Sequence, residues 1–153
     1  MLPNLNLVVL WTSGVAVTVL AIWLGGLPEK IGATLNLVCA VAAEVAHLVW
    51  GSQDAGLALL SVDFILAMGF LGLAVRYASV WLGAAMLFQA IQFSLHAFYM
   101  VAERPHDLLY YRVNNIDTIG ISLALVIGTI MAWRRRLSQA RNSPPAANTS
   151  IQN

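Results

Sequence analysis

Apolar residues fill five stretches of this chain, and glycine, proline or charged residues separate them. Each stretch is about 18–22 residues long, enough to cross about 30 Å of hydrocarbon as a helix rising about 1.5 Å per residue. The pattern therefore predicts an all-α fold, a polytopic membrane bundle of five transmembrane helices. The predicted spans are about 5–24, 31–50, 57–75, 80–101 and 116–133.

The segments that connect and follow these spans are more polar. The longest connection, 102–115, contains Leu108-Leu109-Tyr110-Tyr111, which predicts a segment lying in the membrane interface. Residues 1–136 then form one transmembrane domain. Residues 137–153 lack an apolar pattern that could pack, and they predict a disordered cytoplasmic tail.

One face of each predicted helix carries polar or small residues. At about 100° per residue, members spaced by three, four or seven positions share a face. These stripes are Gly14, Thr18, Ala21 and Gly25; Asn36, Ala40, Ala43, Glu44 and His47; Gly56, Asp63, Ala67, Phe70 and Ala74; Ala85, Gln89, Gln92, His96 and Tyr99; and Asp117, Gly120, Ala124 and Gly128. Small residues let helices approach and polar ones hydrogen-bond between them, so we expect a bundle with a polar interior.

Glu44, His47, Asp63, Gln92 and His96 should lie at similar depth near one side of the membrane. Glu44 and Asp63 are each about 9 Å from the nearer end of their spans. Ionisable groups inside a membrane are costly, so they normally have partners and often a function. We therefore expect these side chains to converge in one cluster.

Several roles for this cluster are compatible with its residue types. His47 and His96 could ligate the iron of haem b, with Gln92 as a further contact to the cofactor. Glu44, His47, Asp63 and His96 could instead bind a divalent metal, since Glu44-x-x-His47 matches one half of a carboxylate-bridged di-metal motif. The same acids could relay protons or line a path for a small solute. They could also only form hydrogen bonds between helices.

Two other groups of polar residues lie near this cluster in the sequence. Glu103, His106 and Asp107 are in the predicted outer connection, as solvated residues or as a lid over the cluster. Asp117 begins the fifth predicted span, where a carboxylate favours a helix N-terminus.

The basic residues predict how the chain crosses the membrane. Lys30, Arg76, Arg134, Arg135, Arg136 and Arg141 fall on one side, and Arg104 and Arg112 on the other. Because positive residues favour the cytoplasmic side, we expect the N-terminus outside and the C-terminus in the cytoplasm.

Composition and missing motifs narrow the functional classes. Only 10% of the residues are charged, against about 25% in soluble domains, and a net charge of +1 is no argument for nucleic acid. Phosphate-binding loops, nucleophile elbows and zinc-protease motifs are not found, and the single Cys39 cannot form an intrachain disulfide. The sequence favours an accessory or binding subunit of a membrane complex over an enzyme. Its expected partners are the lipid bilayer and another membrane protein or a second copy.

Short segments of this chain also resemble a known group of proteins. They are Trp23-Leu-Gly-Gly-Leu-Pro-Glu-Lys30, the mid-helix Asp63, and Arg76-Tyr-Ala-Ser-Val-Trp81 followed by Gln89 and His96. Together they resemble a family of small, uncharacterised multi-helix inner-membrane proteins of alphaproteobacterial type. The resemblance implies a helical inner-membrane protein and assigns no catalytic residue.

Overall fold

The computed structural model describes the backbone of residues 3–142 and the side chains of residues 11–51 and 55–142. Within this part the chain forms five helices and no strand, which confirms the all-α class. The helices are α1 (Pro3–Leu24), α2 (Leu27–Asp54), α3 (Gly56–Tyr77), α4 (Val80–Val101) and α5 (Leu108–Asn142). Residues 143–153 of the predicted tail lie outside the described residues.

The helices form a closed up-and-down bundle. Each helix packs against the next one in the sequence, and α5 packs against α1. We call the half toward Trp50 and Val101 the cavity half, and the half toward Leu24 and Tyr77 the packed half. In the packed half α2 also meets α5, since a Cβ built on Gly32 would lie 3.5 Å from Leu125. Toward the cavity half the space between α2 and α5 is occupied by a cavity.

Four of the helices are long and apolar enough to cross a membrane: Leu27–Gly51, Gly56–Tyr77, Val80–Val101 and Leu108–Asn142. The part of α1 with described side chains, Trp11–Leu24, is apolar but shorter. Large apolar side chains are exposed around the bundle, as expected for a surface that contacts lipid. Length and composition thus support four spans, and a fifth span through α1 remains a prediction.

The second helix begins earlier than the sequence predicted. It starts at Leu27 instead of residue 31, because Glu29 accepts a 2.9 Å hydrogen bond from the Gly26 N–H in a capping arrangement and Pro28 fits the first turn. Near its other end, Gly51 adopts a φ of 78°, which interrupts regular helix one residue after the predicted end of the span. Glycine adopts this left-handed conformation without steric cost.

The fifth helix is longer than predicted at both ends. Asp107 Oδ1 accepts a 3.0 Å hydrogen bond from the Tyr110 N–H, which is the geometry of an N-cap, so the helix begins at Leu108. The predicted interfacial segment is therefore the first turn of α5. At the other end, residues 137–142 are helical and exposed, where the sequence predicted disorder. Most of these residues are good helix formers, and they continue a helix that packing already stabilises.

The packed half has a dense core around one indole. Trp81 is buried on α4, and a Cβ built on Gly128 would lie 2.7 Å from its ring. Its Nε1–H donates a 3.1 Å hydrogen bond to the buried carboxylate of Glu29. Arg136 donates to the Gly25 carbonyl at 2.7 Å, which joins α5 to the end of α1. The small residues predicted on α5 thus allow a bulky ring to lie between helices.

Candidate functional site

The cavity half contains a cavity of about 290 Å³ to which every helix contributes side chains. The residues that the sequence predicted to converge all line this one space: Glu44, His47, Asp63, Gln92 and His96. The remaining lining residues are Trp11, Gly14, Asn36, Leu37, Ala40, Ala43, Leu59, His106, Tyr110, Tyr111, Asn114, Thr118 and Ser122. We call this space the inner cavity.

The wall contributed by α2 is the stripe that its sequence spacing predicted. Asn36, Ala40, Ala43, Glu44 and His47 lie on one face of this helix and all reach the inner cavity. The Nδ1 atom of His47 is buried and has no hydrogen-bond partner. This wall therefore lines the cavity with the Glu44 carboxylate and the His47 ring, whose Nδ1 is buried away from the cavity surface.

A buried polar pair joins α3 to α4 at the edge of the inner cavity. Asp63 Oδ2 contacts His96 Nδ1, and both side chains are less than 10% exposed. Gln89, which is fully buried, donates from Nε2 to Asp63 Oδ1 and to the Asp63 carbonyl oxygen, each at 3.3 Å. Both carboxylate oxygens of Asp63 thus have partners inside the protein. This contact fixes the orientation of the His96 imidazole through Nδ1. The other ring nitrogen, Nε2, takes no part in it.

The wall contributed by α5 was not identified from the sequence. Asn114 accepts a 3.2 Å hydrogen bond from Gln92 Nε2, and Thr118 and Ser122 follow at four-residue intervals. The sequence interpretation assigned the interior of this helix to the stripe that begins at Asp117, which packs against α4 instead. The spacing of Asn114, Thr118 and Ser122 was the available signal for a second interior face.

A second cavity of about 380 Å³ lies beside the first, at the connection between α4 and α5. It is lined by Gly56, Leu59, His96, Tyr99, Met100, Glu103, Arg104, Pro105, His106 and Tyr110. Glu103, Arg104 and Pro105 are exposed, so we call this space the vestibule. Leu59, His96, His106 and Tyr110 line both spaces and form the wall between them.

Aromatic rings make up much of that shared wall. His106 stacks on Tyr110 with ring centroids 3.9 Å apart and an interplanar angle of 7°. Burial, followed by the nearby imidazoles of His96 and His47, lowers the pKa of His106 below 6.5. A neutral imidazole is therefore favoured on the face of Tyr110. Of Glu103, His106 and Asp107, the residues noted in the predicted outer connection, His106 is the one that lines the inner cavity.

Asp107 holds the end of this connection in place. Its Oδ1 accepts a 2.6 Å hydrogen bond from the Tyr99 hydroxyl and also caps α5. The hydrogen bond from Tyr99, together with that from the Tyr110 N–H, lowers the pKa of the exposed Asp107 carboxyl below 3.8. One carboxylate thereby fixes both the start of α5 and the position of an aromatic ring in the vestibule wall.

The predicted metal and haem sites gain no support from this geometry. Among the residues with described side chains, no three His, Cys, Asp or Glu groups come together in a way that could hold a metal ion. Of the set Glu44, His47, Asp63 and His96, only Asp63 and His96 are bonded to each other. For haem, Gln92 is already engaged by Asn114, and the cavity volume of about 290 Å³ is just below the range of about 300–1,000 Å³ that holds drug-sized ligands.

Comparison with known proteins identifies no relative of this chain. No family model, curated protein or solved structure matches the chain. The site must therefore be interpreted from its own chemistry.

Proposed function

We propose that this chain is a multi-pass inner-membrane protein that binds a small ligand in the inner cavity, as a binding or accessory subunit of a membrane complex. The observation that supports this most is the location of the cavity. All five helices line it in one half of the bundle, with polar side chains from α2, α3, α4 and α5, while the other half is closed by an apolar core. A cavity lined by apolar surface and a few polar groups, with an adjoining vestibule on one side, is typical of a binding site.

The charges around the inner cavity favour a small cation. None of the described residues that line it is Lys or Arg, and two are carboxylates, Glu44 and Asp63. Because His96 and Gln89 already engage both oxygens of Asp63, Glu44 is the carboxylate that can balance a charged ligand. Trp11, Tyr110 and Tyr111 add aromatic surface, which attracts organic ammonium groups.

Binding of small cations to the purified full-length protein tests this proposal. Calorimetric titrations with ammonium, methylammonium and tetramethylammonium should show saturable binding of at least one of them, whereas acetate should not bind. Loss of one charge-assisted contact is worth about 1.5–3 kcal/mol, so Glu44→Gln should weaken binding about tenfold or more.

The matched control is Glu103→Gln, which removes the same charge from an exposed position of the vestibule. It should change the affinity less than threefold. Equal affinities of wild type and Glu44→Gln, or no saturable cation binding at all, would contradict the proposal.

The proposed topology has α1 as the fifth span, the N-terminus outside and the C-terminus in the cytoplasm. It is supported by Lys30, Arg76 and the run Arg134–Arg136 at the packed end of the bundle, against Arg104 and Arg112 at the cavity end. The vestibule would then face the outside. A fluorescent protein fused after Asn153 should fold and emit, and an alkaline phosphatase fused there should be inactive. The opposite pair of results would reverse the topology.

A proton path is the second candidate function. It is favoured by His96, which lines both spaces and is bonded to Asp63. In proteoliposomes, His96→Ala should then slow the decay of an imposed pH gradient. An unchanged decay would leave ligand binding as the better account.

A further inference from the structure

One buried acid lies outside the two cavities. Asp117 is 2% exposed and does not line either space, although Asn114, Thr118 and Ser122 of the same helix line the inner cavity. At about 100° per residue, Asp117 is about 60° from Asn114 around the helix, on the face that packs against α4. Since α5 begins at Leu108, Asp117 is nine residues inside the helix. The expectation that it serves the helix N-terminus was therefore wrong.

The register of α4 against α5 places Asp117 opposite Gln89. Gln92 is hydrogen-bonded to Asn114, and a Cβ built on Gly120 would lie 2.6 Å from the ring of Phe88. These two contacts fix the register of the antiparallel helices α4 and α5. Asp117 lies midway between Asn114 and Gly120, and Gln89 adjoins Phe88. The two side chains are therefore at the same level of the interface, and both are almost fully buried.

Each of these side chains has a buried oxygen atom without a partner. Gln89 directs its amide nitrogen toward Asp63, so its Oε1 points away from Asp63 and has no donor. Asp117 Oδ2 also has no hydrogen-bond partner. An ionised carboxylate would face a carbonyl oxygen in an apolar interface, with a like partial charge and no donor. Such an arrangement carries a large desolvation cost.

We propose that Asp117 is a proton-binding site: its carboxyl group holds a proton at neutral pH and donates it in a hydrogen bond to Gln89 Oε1. Both unpartnered oxygens then have a partner. A chain of hydrogen bonds runs from Asp117 through Gln89 and Asp63 to His96, where it reaches both the vestibule and the inner cavity. The proton on Asp117 fixes the orientation of the Gln89 amide, which in turn holds Asp63 in position for His96.

The titratable neighbours of this site come from three helices. Asp63 and His96, from α3 and α4, belong to the chain itself, while Glu44 and His47 of α2 lie on the cavity side of α5. The described part of α1, which also packs against α5, carries no titratable side chain. No Lys or Arg lines the cavity beside it that could stabilise the ionised form. The inference is independent of the ligand proposed above.

Infrared difference spectroscopy on the full-length protein in lipid tests this site. At neutral pH the wild type should show the C=O stretch of a protonated carboxylic acid, shifted slightly in D₂O. Asp117→Asn should lose that band and remain folded, because its amide N–H can still donate to Gln89. The control Glu103→Gln, at an exposed position, should retain the band.

Gln89→Leu gives a second measurement on the same band. Removing the acceptor should shift the band to higher frequency. If Asp117→Asn does not accumulate, Gln89→Leu tests the proposal by itself. A wild type without the band, or a band unaffected by both variants, would overturn the proposal. So would stability that depends on Na⁺ together with no protonated band, since a bound cation would then join the two oxygens.

Discussion

The cavity half and the packed half are built from the same five helices, but they accommodate their interior side chains in different ways. In the packed half, glycines at positions 32 and 128 let the indole of Trp81 lie between helices, and each oxygen of the Glu29 carboxylate accepts a hydrogen bond from an N–H group. In the cavity half the helices leave a space, and paired polar groups line it. Close packing fills the interior of one half, whereas hydrogen bonds between polar side chains support a cavity in the other.

Breaking the Asp63–His96 pair should have the largest effect on the cavity half. Asp63→Ala leaves the His96 imidazole and the Gln89 amide buried without their acceptor, so unfolding in detergent should become easier by about 3–5 kcal/mol. Ser61→Ala on the same helix is the control. Ser61 is exposed and bonds only to the Leu57 carbonyl, so its loss should cost less than about 0.5 kcal/mol. Similar changes in the free energy of unfolding for the two variants would show that the Asp63–His96 pair does not stabilise the cavity half.

The packed half should respond to added volume. Gly128→Ala places a methyl group within 2.8 Å of ring atoms of Trp81 and should destabilise the protein by about 1–3 kcal/mol. Gly83→Ala adds the same group to the neighbouring helix α4, where nothing lies within 4 Å, and should be neutral or stabilise by up to about 1 kcal/mol. Equal free energies of unfolding for the two variants would show that the packed half is not close-packed.

The hydrogen bond between Gln92 and Asn114 should contribute much less. Interhelical hydrogen bonds in membrane proteins are worth about 0.6 kcal/mol on average, because the separated helices also find partners. A double-mutant cycle with Gln92→Ala and Asn114→Ala should therefore give a coupling energy of about that size. A coupling above about 2 kcal/mol would mean that this bond, and not the Asp63–His96 pair, holds the cavity wall.

Acid should weaken the wall between the vestibule and the inner cavity slightly. The pKa of His106 is lowered by burial, so the unfolded chain binds a proton more readily than the folded one. Stability is then unaffected well above pH 6.5, falls as the pH drops through that value, and levels off below the folded pKa. His106→Phe keeps a ring stacked on Tyr110 and should abolish this step in a melting-temperature profile. If the fall in melting temperature is unchanged in His106→Phe, another histidine causes it.

The sequence predicted the polar wall from α2 and the convergence of the acids and histidines, because a stripe at helical spacing must share a face. The contact between Asp63 and His96 is one of the interhelical hydrogen bonds that the sequence allowed for these residues. The sequence did not predict the role of α5, since this helix has two interior faces and only the small-residue face was recognised. The spacing of Thr118 and Ser122 was visible inside the predicted span, but Asn114 joins them on the helix only when the start of α5 at Leu108 is known. That start depends on Asp107, a cap whose partner atom is three residues further along the chain.

Chemical labelling of α5 tests the contrast between the two halves most directly. In a Cys39→Ala background, Ser122→Cys lies in the inner cavity and Thr129→Cys lies in the packed half, seven residues further on the same helix. Both substitutions replace a small hydroxyl side chain with a thiol. With a small cationic thiol reagent, the account predicts that Ser122→Cys reacts about tenfold faster or more. Equal rates, or faster labelling of Thr129→Cys, would contradict it.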